Sequence, residues 1–218
     1  MSEAFSVEAI EQLFTRKDGS YSFARWGRPI APVVFGVDDE TLPHLKDAIA
    51  QTVAVTGGTL AETDPEFGAN FMWFFCTEWD EVAAVPDLEK LVPDLPSLVN
   101  GLNQKNVNEH RMFIFDKDGS IKMCLLFLRM KGAVAGMTVQ ALGAGETLQS
   151  LLTWGEDAFS NQSPIAVLKE NGICIVKPEF AALVRGAYDP IMPAAAIDAS
   201  HALRLHARAD RLYRDMMQ

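Results

Sequence analysis

The sequence predicts an α+β fold, a mixed twisted β-sheet with packed helices and a C-terminal helical portion, and three observations carry that prediction. Residues 71–76, Phe-Met-Trp-Phe-Phe-Cys, are too continuously apolar for a half-exposed strand and belong in the centre of a sheet. Residues 111–115 and 121–129 read as two strands joined by Asp116-Lys117-Asp118-Gly119-Ser120, a hairpin connection with glycine where a positive φ is wanted. Around them lie stretches whose apolar residues recur at three- and four-residue steps, the signature of helices with one buried face.

Taken in order, residues 7–14 place Val7, Ile10 and Leu13 or Phe14 on one helical face, ending before the turn cluster Lys17-Asp18-Gly19-Ser20. Residues 30–37 are apolar and rich in β-branched side chains, but Pro29 and Pro32 lack donors, which makes this an edge strand or the start of one. The clearest helix follows. Thr41 is placed to cap it, Pro43 suits its first turn, Leu42, Leu45, Ile49 and Val53 line one face, and Gly57-Gly58 stops it. Residues 59–62 read as a short strand, and residues 78–104, with their acids and prolines, as one or two short surface helices. Gly143 and Gly145 read as a helix stop, after which Leu148, Leu151 and Leu152 resume the pattern, and residues 157–164 read as a loop. A strand over residues 173–176, a helix from Pro178 to Arg185, and a last helix from near Pro193 carrying Ala202, Leu205, Ala209, Leu212 and Met216 complete the chain. Residues 1–218 are expected to form a single domain, with the sheet in about residues 20–132 and mainly helix in about residues 133–218.

Composition narrows the partners. With 19 basic and 29 acidic residues, a net charge of -10, the chain should be repelled by nucleic acid and by anionic membrane surfaces. No window holds the roughly 20 apolar residues that span a bilayer, so membrane insertion is not expected. The first residues show neither a basic end nor a following apolar run, which points to a soluble, cytoplasmic protein. Cys76, Cys124 and Cys174 are odd in number and each lies in an apolar run, as reduced buried thiols do.

Few residues offer chemistry. His201 and His206 are five apart, about 140° around a helix, so they do not pair on a metal and read as solvated. His44 and His110 have no partner in sequence. The run from Asp116 begins like a calcium loop, but its twelfth position is Phe127 where a glutamate is needed. Gly143-Ala144-Gly145-Glu146 has the glycines of a phosphate loop and no lysine, with a glutamate that would repel an anion. Neither a metal nor a cofactor is expected. Glu78, Asp80 and Glu81 gather at the end of the central strand, where they suit the first turn of a helix.

Residues 136–144, Gly-Met-Thr-Val-Gln-Ala-Leu-Gly-Ala, read as a short buried helix. They are similar to the zincin metalloprotease pattern His-Glu-x-x-His-Ala-Leu-Gly, with Gly136, Met137 and Gln140 where the histidines and the glutamate would be. Further pieces occur in order: Arg25-Trp26 with Pro29-Ile30, Thr56-Gly57, Ala69-Asn70-Phe71, Gln140-Ala141-Leu142-Gly143, Phe159 and Ser163, and Leu183 with Tyr188-Asp189-Pro190. Together they make the chain resemble a bacterial family known as domain of unknown function 2927, many of whose members look exported or lipid-anchored. The chain differs from that family in having Thr138 and Val139 before the glutamine where acids occur, and in having no export signal.

That resemblance implies a zincin-like domain without the zinc site. It singles out Arg25, Trp26, Asn70, Gln140, Tyr188 and Asp189 as binding residues, with Gln140 expected to be buried and bonded to Asn70 or to the 188–190 turn. Three functions follow: a non-catalytic domain that holds a peptide or protein in the groove between an edge strand and the Gln140 helix; a hydrolase built from Asp80, Glu81, Asp189 and a histidine; or a subunit of a homo-oligomer.

Overall fold

A computed structural model describes residues 5–168 and 173–218; residues 1–4, on which the reading of the first residues partly rests, lie outside it. Helix α1 (Val7–Phe14) is capped by Ser6, whose Oγ accepts from the Ala9 N–H at 3.1 Å, and it buries Ile10, Leu13 and Phe14. Strands β1 (Phe23–Ala24) and β2 (Pro32–Phe35) precede α2 (Thr41–Ala54). The cap of α2 is Asp38, which accepts from the Thr41 N–H at 2.7 Å and its hydroxyl at 3.1 Å, so Thr41 is the first helical residue and not the cap. Gly57 ends the segment at φ +83°. Residues 59–62 form no strand; the Ala61 N–H bonds the Ile30 carbonyl and the chain moves on.

Central strand β3 (Phe71–Cys76) leads to α3 (Asp80–Ala83), a 3-10 turn (Leu88–Lys90) and α4 (Leu95–Lys105). The hairpin β4 (Glu109–Phe115) and β5 (Ile121–Arg129) turns through Gly119 at φ +82°. A single turn, α5 (Gly132–Ala135), precedes α6 (Val139–Leu151); then come β6 (Ile165–Val167), β7 (Cys174–Val176), α7 (Pro178–Ala187), β8 (Ala195–Ala196) and α8 (Ser200–Met216). The main sheet has the order β2-β3-β5-β4, parallel except for β4, and β2 lies at its edge as predicted. Strand alternation splits the apolar side chains into two cores. Phe71, Trp73, Cys124, Leu126 and Leu128 meet α1, α2, α6, α7 and α8, while Phe74, Cys76, Met123, Leu125 and Phe127 meet α3 and α4. The fold is mixed α+β, and no helix among the described residues is long and apolar enough to cross a membrane.

Three expectations fail for physical reasons. Gly143 and Gly145 do not stop a helix; α6 runs through both, because α2 lies so close that a Cβ on Gly143 would meet the Ala48 Cβ at 2.7 Å and the Leu45 Cδ1 at 3.0 Å. The last helix begins at Ser200, not near Pro193, since residues 195–196 are drawn into a strand against β1. His201 is not solvated: it is fully buried, its Nδ1 is 2.8 Å from the Tyr21 hydroxyl and its ring lies 4.2 Å from Phe23.

Two outcomes test this packing. Gly143→Val should destabilise the fold by about 1–3 kcal/mol in urea titration, because the added carbons meet the Ala48 methyl. Gly101→Ala in α4, where a Cβ meets nothing within 4 Å, should stabilise it by up to about 1 kcal/mol. Burial holds the His201 imidazole neutral and lowers its pKa from 6.5 to about 4. The unfolded chain therefore takes up a proton that the folded chain refuses. The contribution of His201 is full above pH 6.5 and is lost as the pH drops through that window, by about 3 kcal/mol near pH 4. A His201→Leu variant, compared by urea titration between pH 7.5 and 4.5, should lack this part of the slope.

Candidate functional site

The residues singled out by sequence fall in different places. Trp26 is buried and donates from Nε1 to the Ser150 carbonyl at 2.8 Å; Tyr188 donates to the Leu151 carbonyl at 2.8 Å; Trp154 donates to the Leu148 carbonyl at 3.2 Å. The last carbonyls of a helix have no partner within it, so three aromatic donors cap the end of α6. Arg25 lies over the Tyr188 ring at 5.5 Å and donates to the carbonyls of Trp26 and Met192. Asp189 accepts from the Ile191 N–H and sits 3.4 Å from the Arg208 Nε. Asn70 is fully buried, accepting from Ala31 N–H at 2.8 Å and donating to the Pro29 carbonyl and to Asp64.

Gln140 stands apart. It is exposed in the first turn of α6, beside His44, Asp47 and Gln51 of α2, and bonds neither Asn70 nor the 188–190 turn. Thr138 caps the helix at that point, accepting from the Ala141 N–H at 3.2 Å, so the helix enters from solvent and is buried only from Leu142 onward. Nor do the proposed hydrolase carboxylates converge. Asp80 meets Asn103, Glu81 accepts from the N–H groups of Thr77 and Glu78, and Asp189 is held as described.

A different place on α6 carries the chemistry. Between β4, the second half of α6 and residues 153–160 runs a cleft of about 1150 Å³, lined by Glu109, Arg111, Phe113, Gln149, Trp154 and Phe159 among others. At its floor the Arg111 guanidinium reaches Glu146 at 2.5 Å, Glu109 at 2.8 Å and the Ser150 hydroxyl at 2.9 Å. Ser150 in turn donates to the Glu146 carbonyl at 2.8 Å. The Glu146 side chain is 6% exposed against 35% for Glu109. Burial pushes the Glu146 carboxyl above the usual range, Arg111 pulls it down, and Glu109 pushes it up again.

No family model, curated protein or solved structure matches the chain.

The wall of the cleft is a free sheet edge. Cys124 donates to the Asn70 carbonyl, toward β3, while Arg129 donates to the Asn108 carbonyl, toward β4. In an antiparallel pair the backbone groups alternate in direction, so those of His110 and Met112 point to β5 and those of Glu109, Arg111 and Phe113 point outward. Among the described residues no other segment bonds these outward groups. Among the same residues, no three His, Cys, Asp or Glu side chains gather as a metal site would require.

Sequence reading passed over Glu146, taking it for part of a helix break. One signal was there: it is the only charged residue between Lys131 and Glu156, on a stretch otherwise apolar or small. Its partners Arg111 and Glu109 belong to a strand more than thirty residues away and gave no such signal.

The edge makes a measurable prediction. By amide hydrogen exchange in the free protein, Arg111 and Phe113 should exchange about tenfold faster or more than His110 and Met112, which are bonded to β5. Equal protection along β4 would mean that the edge is covered.

Proposed function

We propose that this chain is a non-catalytic, zincin-like domain that binds an extended peptide or protein segment as an added strand on β4. The observation that carries the reading is the outward row of backbone groups at Glu109, Arg111 and Phe113, lying along a cleft of about 1150 Å³. The edge used is thus β4, and α6 borders the cleft at Gln149, not at its Gln140 end. On this reading Trp26 and Tyr188, with Arg25 stacked on the latter, act by fixing α6 from behind; Asn70 and Asp189 hold the segments around them.

One observation favours a hydrolase instead: a carboxyl raised by burial, with a second carboxyl beside it in a cleft. Arg111 holds both, however, which suits a fixed wall better than a proton shuttle.

A nonapeptide selected from a random display library on the immobilised protein is the test. N-methylation of those peptide residues whose amides face β4 should weaken binding about tenfold or more, with little effect at the intervening residues. Insensitivity to both would refute strand addition. Cleavage of the bound peptide by the wild type and not by Glu146→Gln would establish the hydrolase reading.

A further inference from the structure

Resting on that reading, we infer that the added strand is a basic one, carrying a lysine or arginine opposite Glu109 and an apolar or aromatic side chain four residues away, opposite Phe113. The inference follows from the alternation of a sheet. Side chains two apart on a strand share a face, and β4 presents Glu109, Arg111 and Phe113 on the face toward α6, where Arg111 meets Glu146. An added strand in register puts every second side chain over this same row, directly opposite its members.

Arg111 is one guanidinium between two acid side chains, 2.5 Å from Glu146 and 2.8 Å from Glu109. Glu146 is the deeper of the two. Glu109 is the more exposed of the two, lines the cleft and keeps acceptor capacity there. A ligand cation there makes a second charge-assisted contact to Glu109. The other cation on the wall, Arg16, is held by the carbonyls of Trp154 and Thr153. At the Phe113 end the wall is aromatic, with Trp154 and Phe159 5.1 Å apart between ring centres, and takes an apolar side chain. The chain's net charge of -10 favours the approach of a basic segment over an acidic one.

Panning a random nonapeptide display library on the full chain, on Glu109→Gln and on Glu109→Lys tests this. On the wild type, selected peptides should share a basic residue and, four positions from it, an apolar or aromatic one. A synthetic peptide of that consensus should bind Glu109→Gln about tenfold less tightly or worse, and replacing its basic residue by norleucine should cost the wild type a similar factor. Glu109→Lys should select acidic residues at the same position. The half-exposed Glu109 makes both variants foldable, which circular dichroism checks. Binders that are neutral or acidic at that position on the wild type, yet lose binding on N-methylation, would overturn the basic preference while leaving strand addition in place. Failure to select any binder, or sedimentation showing that a second copy occupies the β4 edge, would overturn both.

Discussion

The burial of β5 on both faces is the constraint on which the rest of the structure depends. Residues 123–128 have no exposed surface, so helices must cover both sides of the sheet and strands must flank both edges of β5. The parallel neighbour β3 fills one side, and the hairpin through Gly119 brings β4 to the other. This arrangement leaves β2 and β4 as the edges, and they differ in kind. Strand β2 has four residues and begins with Pro32, which has no N–H, so it is blunted as sheet edges usually are. Strand β4 has seven residues and no proline. An open edge of that length is a hazard for a lone protein unless something is meant to pair with it.

Helix α6 converts that edge into a cleft. It is buried from Leu142 to Leu148 on all sides, pressed against α2 at Gly143 and against β6 and β7, so it has little freedom to shift. Its final carbonyls are tied by Trp26 from the first part of the chain, by Trp154 from the loop that follows, and by Tyr188 from the end of α7. The elements far apart in sequence therefore meet at the end of one helix and set the position of Glu146 and Gln149 relative to β4. A site with one wall on a strand and another beside a helix held in this way is more rigid than one made of loops alone.

Much of the fold was legible because it depends on local patterns. The apolar run of β3, the hairpin turn with glycine, and the three- and four-residue steps of α1 and α2 all reflect burial of a continuous face, which a sequence records directly. What was not legible depends on close approach between distant segments. A glycine reads as a helix break unless the neighbouring helix that needs it is known, and Gly143 needs Ala48. A histidine on a helix reads as solvated unless Tyr21 and Phe23, about 180 residues earlier, are known to meet it. Gln140 drew attention because it was the polar group in a familiar pattern, yet the helix turned that end to solvent and turned Glu146 inward.

The pairing of Glu146 with Arg111 is the feature least explained by stability. Two charges taken from water into a site this enclosed regain through their attraction about what desolvation costs them, and apolar residues of the same size in such places are often neutral or better. Once the pair exists, removing one partner is expensive, about 3–5 kcal/mol, so the arrangement is locked without being optimal for folding. A core built for stability alone would place a leucine at 146, as the helix already does at 142, 148 and 151. Here the ion pair lies not at random in the core but beside a cleft of about 1150 Å³, against the longer open strand edge of the main sheet among the described residues, with Glu109 on the other side of Arg111. The same side chains that weaken the case for a structural role strengthen the case for a surface that recognises charge.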